Sequence, residues 1–150
     1  MLGGPDPGPE EFLSDHGWRL EQLSDALRAE PESRSRSAEL AEELRVHARI
    51  EERLCFPALV AANPLEARDV VAAARRAQAG LSQGIEQLSR APVLESAELA
   101  ASLADRVGSY GNFERARLLP MFSVLPAVTL REMGLEIQEI LGRSPRARGA

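Results

Sequence analysis

Apolar residues recur along this chain in steps of three and four, the spacing that keeps one face of a helix turned toward a partner. A first helix is expected to start near Glu11 or Phe12, with Leu13, Leu20, Leu23 and Leu27 inward, and to break at Pro31. A second starts near Ser37, read as its N-cap, and carries Leu40, Leu44, Leu54 and Ala58. Pro57 is expected to kink or thin its last turn. Asn63-Pro64 is a turn signal, and a third helix follows with Val71, Ala74, Leu81, Ile85 and Leu88. Gly80 and Gly84 weaken it by about 1 kcal/mol each relative to Ala. Ala91-Pro92 closes it. Ser96 is read as the cap of a fourth helix bearing Leu99, Leu103, Val107, Leu118 and Met121, ended by Pro120 and Pro126. Thr129 opens a last short helix to about Leu141, with Leu130, Met133, Ile137 and Ile140 on one face. Short connections between four long helices imply antiparallel neighbours. The expected fold class is all-α: an antiparallel up-down-up-down four-helix bundle with a short C-terminal helix. It spans residues 11–142, between a flexible segment 1–10 and a disordered basic tail 143–150.

Written out in full, each seam is interrupted. The first runs 13, 16, 20, 23, 27 and contains His16; the second runs 40, 44, 47, 51, 54, 58 and contains His47 and Glu51. The third contains Gln78 between positions 74 and 81. The fourth contains Tyr110 and Glu114 between 107 and 118. Counted from the expected turns, these six residues sit at levels that differ by only about one helical turn at 1.5 Å rise per residue. They should meet in one layer.

Carboxylates in an apolar layer are costly unless their charge is compensated. None of the six positions holds Lys or Arg. A divalent or trivalent cation would satisfy the layer, and the i,i+4 pairs His47/Glu51 and Tyr110/Glu114 each put two donor atoms on one helical face. Inward Glu and His from facing helices are how di-metal sites in bundles are built. Iron or manganese suits mixed imidazole, carboxylate and phenolate donors. The competing reading is a metal-free layer in which His47, Glu51, Tyr110 and Glu114 hydrogen-bond among themselves. Singly, each residue has a plainer reading still: His16 as a partly exposed helix-start histidine, Tyr110 as a core aromatic, Gln78 as a satisfied polar residue.

The pattern resembles the hemerythrin-like, or HHE cation-binding, family. The second helix reads His47-Ala-Arg-Ile-Glu51-Glu52-Arg-Leu-Cys-Phe-Pro57, and the fourth reads Tyr110-Gly-Asn-Phe-Glu114-Arg-Ala-Arg-Leu-Leu-Pro120, with the same spacing to Pro. Asp15-His16 stands at the first-helix position. The resemblance covers residues 11–125 and departs at Gln78 and Tyr110, where the family carries His. It implies a non-haem di-iron centre bridged by Glu51 and Glu114, with His16, His47 and Tyr110 as terminal ligands; Gln78 lines the site as a doubtful ligand. One metal is then under-ligated, so mononuclear iron or manganese stays open. The implied ligand is a small diatomic or a peroxide. A phenolate donor favours the ferric state, which points to redox or peroxide chemistry or sensing rather than reversible O2 transport. Nothing decides whether the chain is an enzyme. The alternative function is a degenerate, metal-free bundle acting as a protein-interaction module.

Composition narrows the setting. Hydrophobic residues are 44% and aromatics only 4%, so Leu, Ala, Val and Ile must form the core, which favours helices over sheets. The net charge of −5 argues against a nucleic-acid binder. The basic stretch Arg143, Arg146, Arg148 reads as a solvated end. All 18 basic residues are Arg, which hints at a GC-rich bacterial gene. No apolar run approaches a membrane span and the N-terminus has no signal-peptide pattern. Cys55 is the sole cysteine, so no internal disulfide can form. These features point to a cytoplasmic protein, compatible with a homodimer, in which Cys55 is a small hydrophobe, Glu52 is solvated and Trp18 packs under the N-terminal segment.

Overall fold

The computed structural model describes residues 8–143. Residues 1–7 and 144–150 lie outside the described residues, and with them most of the lead-in and of the basic tail. All regular structure among the described residues is helical. Helix α1 spans Pro9–Ala29. Helix α2 spans Arg34–Ile50, passes through a π turn at Glu51–Cys55 and continues as α3, Phe56–Ala62. Helix α4 spans Pro64–Arg90. Helix α5 spans Val93–Phe113 and runs into a second π turn, Glu114–Leu118, and a 3-10 turn, Leu119–Val124. Helix α6 spans Ala127–Arg143 and, at 17 residues, is as long as α2.

Four helix starts differ from the expected ones: α6 opens at Ala127, two residues before Thr129, and the other three have local reasons. Helix α1 opens two residues early because Pro9 at its first position is pre-set for helical φ. Helix α2 opens at Arg34, since the hydroxyl of Ser33, not Ser37, accepts the Arg36 N–H. Helix α5 opens at Val93, and Ser96 lies inside it, its hydroxyl donating back to the Pro92 carbonyl.

Helix α1 packs on α2 and α5, and α4 packs on α5, α3 and, less closely, α2. Helix α6 lies against α1, α2 and the first π turn. Every inward position of the four seams is buried or half-buried. The core is led by Phe56, Phe122, Leu13, Leu27, Leu40 and Ile50. Gly84 lets α4 sit close against α5: a Cβ there would stand 3.1 Å from Leu103 Cδ1.

The π turns change the phase of the core. In each, an amide bonds five residues back, Phe56 N–H to Glu51 O and Leu119 N–H to Glu114 O. Each precedes a proline, Pro57 or Pro120, whose ring would clash with the carbonyl four residues back in a regular helix. The wider turn holds one surplus residue. Inward positions downstream therefore move on by one: Cys55, Phe56 and Leu59 are buried where Leu54 and Ala58 were expected, and Leu119 and Phe122 are buried while Met121 is not fully so.

Candidate metal-binding site

The six polar seam residues lie together. His16 comes from α1 and His47 from α2. Glu51 and Glu114 are the first residues of the two π turns. Gln78 comes from α4 and Tyr110 from the last turn of α5. All are buried except Gln78, which is half-buried.

Glu51 is the most enclosed. Its Oε1 accepts from the Tyr110 hydroxyl at 2.5 Å and from Gln78 Nε2 at 2.7 Å. Its Oε2 is buried with no hydrogen-bond partner and stands 3.7 Å from His47 Nε2. An orphaned buried carboxylate oxygen is costly. Burial pushes the Glu51 carboxyl well above its ordinary range, and the neighbouring Glu114 pushes it further. Glu114, raised by burial to about 7, reaches His47 Nε2 at 2.8 Å through its Oε2. Burial lowers His47, keeping its imidazole neutral, and raises the Tyr110 hydroxyl, keeping it a phenol that donates.

A seventh residue completes the layer. Glu43, on α2 and buried, bonds His16 Nε2 at 2.9 Å, and His16 Nδ1 meets His47 Nδ1 at 2.9 Å. Arg19 Nε lies 3.7 Å from the same Glu43 oxygen. Where each imidazole carries a single hydrogen, this chain has a direction. The Glu43 carboxylate only accepts, so His16 Nε2 carries the hydrogen and His16 Nδ1 the lone pair. His47 Nδ1–H then donates to it, and His47 Nε2 presents a lone pair toward Glu114 and Glu51. A lone pair facing carboxylates needs a proton or a cation between them. Sequence reasoning missed Glu43 because the seam was stepped through Leu44. The signal was there: Glu43 is four residues before His47, on the same helical face.

The outcome is a division of the expected ligand set. Donor atoms of His47, Glu51 and Glu114 lie within 4.8 Å of one another, and this buried group could hold a metal ion. His16 stands behind His47 with both ring nitrogens already engaged. Tyr110 and Gln78 stand behind Glu51. Two carboxylates and one imidazole form a hard, oxygen-rich donor set.

Around the site, Glu52 is exposed and held by Arg75 at 3.0 and 2.8 Å. Cys55 is fully buried, and burial raises its thiol well above the ordinary value. Trp18 is half exposed, with the Arg115 guanidinium over its ring at 4.3 Å. No helix of the described chain is long and apolar enough to cross a membrane. No protein-family model matches the chain, and no curated protein or solved structure matches it either.

Proposed function

We propose that this chain is a hemerythrin-like four-helix bundle, closed by a C-terminal helix, that binds non-haem iron through His47, Glu51 and Glu114. The observation that carries the reading is the Glu51 Oε2 atom, buried without a hydrogen-bond partner beside the His47 Nε2 lone pair and the Glu114 carboxylate. A cation placed among them satisfies all three groups. The resemblance of the two helix-plus-proline motifs supports the family. The donor geometry favours one ion over two, because His16 is occupied by Glu43 and His47, and Tyr110 by Glu51. Manganese is the nearest substitute.

In this reading His16 with Glu43 fixes the tautomer of His47, and Tyr110 with Gln78 fixes Glu51, as outer partners commonly do for metal ligands. Bound iron would supply one-electron redox and peroxide or diatomic-ligand chemistry. Two anionic oxygen donors stabilise the ferric state, which favours redox chemistry or sensing over reversible O2 carriage. The test is elemental analysis after anaerobic loading with Fe(II) and desalting. About one iron per chain is expected for the native protein. It should be lost in His47→Ala/Glu51→Gln. Native loading below about 0.2 per chain would refute the reading.

One observation favours a second reading, a metal-free interaction module: Glu51 Oε1 already has two donors, and His47 and Glu114 satisfy each other. Under it, iron and chelator leave the melting temperature of the native protein unchanged.

A further inference from the structure

A cleft of about 980 Å³ runs between α2 and α4, where the two helices stand apart. That is the upper end of the range for small-molecule sites, which are mostly apolar with a few converging polar groups. Its walls carry Ala41, Leu44, Ala48, Leu81, Ile85 and Leu88. Leu44 and Ile85 hold inward-facing positions of the helical pattern yet remain half-buried, because the opposing helix does not close over them. At one end the floor is polar: His47, Gln78 and Tyr110. At the other end the lining reaches Pro31 on one side and Ala91 and Val93 on the other. From the level of Arg49 to that of Ser37, the 1.5 Å rise per residue makes the cleft about 20 Å long, the reach of an alkyl chain of about twelve to sixteen carbons.

Both ends carry charge, but Glu32 and Arg34 at the Pro31 end are of opposite sign, whereas the end beside the polar floor carries Arg49. The acids on the rim are partly spoken for: Glu52 is held by Arg75 and Glu86 by Arg90, both outside the cleft. Arg45 is paired with Glu42. Arg49, which lines the cleft beside its polar floor, has no ion-pair or hydrogen-bond partner among the described residues. An unpaired guanidinium at the head of a long apolar groove is complementary to a carboxylate on an unbranched hydrocarbon tail.

We infer that the α2–α4 cleft binds a linear alkyl carboxylate, its head at Arg49 above the His47, Gln78 and Tyr110 floor and its tail along Leu44, Leu81, Ile85 and Leu88. The inference stands apart from the metal reading, since none of the groups that hold the ligand is a proposed metal ligand except at the floor.

The experiment is displacement of 11-(dansylamino)undecanoic acid from the full chain, kept metal-free with chelator, followed by dansyl fluorescence. Dodecanoate should displace the probe saturably at micromolar concentration, and dodecanol at least about tenfold less well. Ser82→Trp, which fills the cleft from an exposed position, and Ile85→Arg, which places a charge in the tail path, should each weaken dodecanoate at least about tenfold. Arg49→Glu should remove the preference for the acid over the alcohol. Arg131→Glu, on α6, is the control and should change nothing. Circular dichroism establishes that each variant is folded. If the probe does not bind saturably, or if binding survives both Ser82→Trp and Ile85→Arg in folded protein, the inference is overturned. Equal displacement by dodecanol, unchanged by Arg49→Glu, overturns the acidic head. Loss of iron loading with dodecanoate binding intact would sink the metal reading alone.

Discussion

Replacing Glu114 by Gln should reshape the pH dependence of stability. In the folded, metal-free chain burial raises the Glu114 carboxyl from 4.5 to about 7. At 1.36 kcal/mol per pH unit, that rise is worth about 3 kcal/mol. Below pH 4.5 both folded and unfolded chains hold the proton, and the contribution is fully present. From there upward the unfolded chain releases its proton while the folded chain keeps it, so stability falls. It is lost once the pH passes the folded value near 7. Glu51, raised in the same direction, extends the fall. His47 works against it: lowered by burial, it adds stability as pH rises toward 6.5 and nothing beyond. Gln is a neutral isostere of the protonated carboxyl and cannot ionise. Subtracting variant from native therefore reads the ionisation of Glu114 together with the upward push it exerts on Glu51, two effects of the same sign. The assay is urea unfolding followed by circular dichroism, in chelator, at pH 4.5, 6, 7 and 8. The stability of Glu114→Gln relative to native should improve by about 3 kcal/mol across that range, a readable fraction of the total for a domain. A gap that stays constant, or moves the other way, would refute the assignment of Glu114 as a buried carboxyl desolvated without a permanent counter-charge. Saturating iron should restore the native protein at pH 8, because the cation takes the proton's place.

His16→Ala removes the acceptor of His47 Nδ1–H and should cost about 1–3 kcal/mol in urea unfolding. It should also weaken iron binding by about 10–100-fold without abolishing it, as a competition titration would read. Gly80→Ala, with open space at its Cβ, should raise the melting temperature by about 2–4 °C. Gly84→Ala should give no such gain, because Leu103 is already at 3.1 Å. Cys55 should be silent to a thiol reagent until the chain is unfolded, given its burial and raised pKa; rapid labelling of native protein would contradict the packing around Phe56.

Much of this arrangement is legible from spacing. A side chain repeating every three or four residues must face a partner helix, and no seam position proves exposed. The polar layer is legible for the same reason, since a polar residue on a seam has nowhere else to point. Three things are not. Glu43 and Leu44 flank the line of His47 from one turn before it, and a rule that takes the apolar residue of a neighbouring pair discards the charged one. The cap at Ser33 competes with Ser35 and Ser37 in one short stretch, and only the turn after Glu30 selects it. The phase of the core beyond Glu51 and Glu114 is invisible to a fixed period. The prolines that disrupt the period announce themselves, yet whether the chain answers with a kink, a thinned turn or a wide turn depends on packing across the layer.

Those wide turns act as a vernier between two gauges. Upstream of each, the helix is indexed by the polar layer. Downstream, it is indexed by Phe56 and Leu59, or by Leu119 and Phe122. A single residue reconciles the two. Deleting Arg53 would remove that surplus residue: a regular helix would then carry Cys55 and Leu59 at the inward positions, in phase with His47 and Glu51, and the Pro57 ring would meet the carbonyl of a regular helical turn. A one-residue change of length is thus taken up here as a change of turn width, so the far core and the polar layer keep facing the same way.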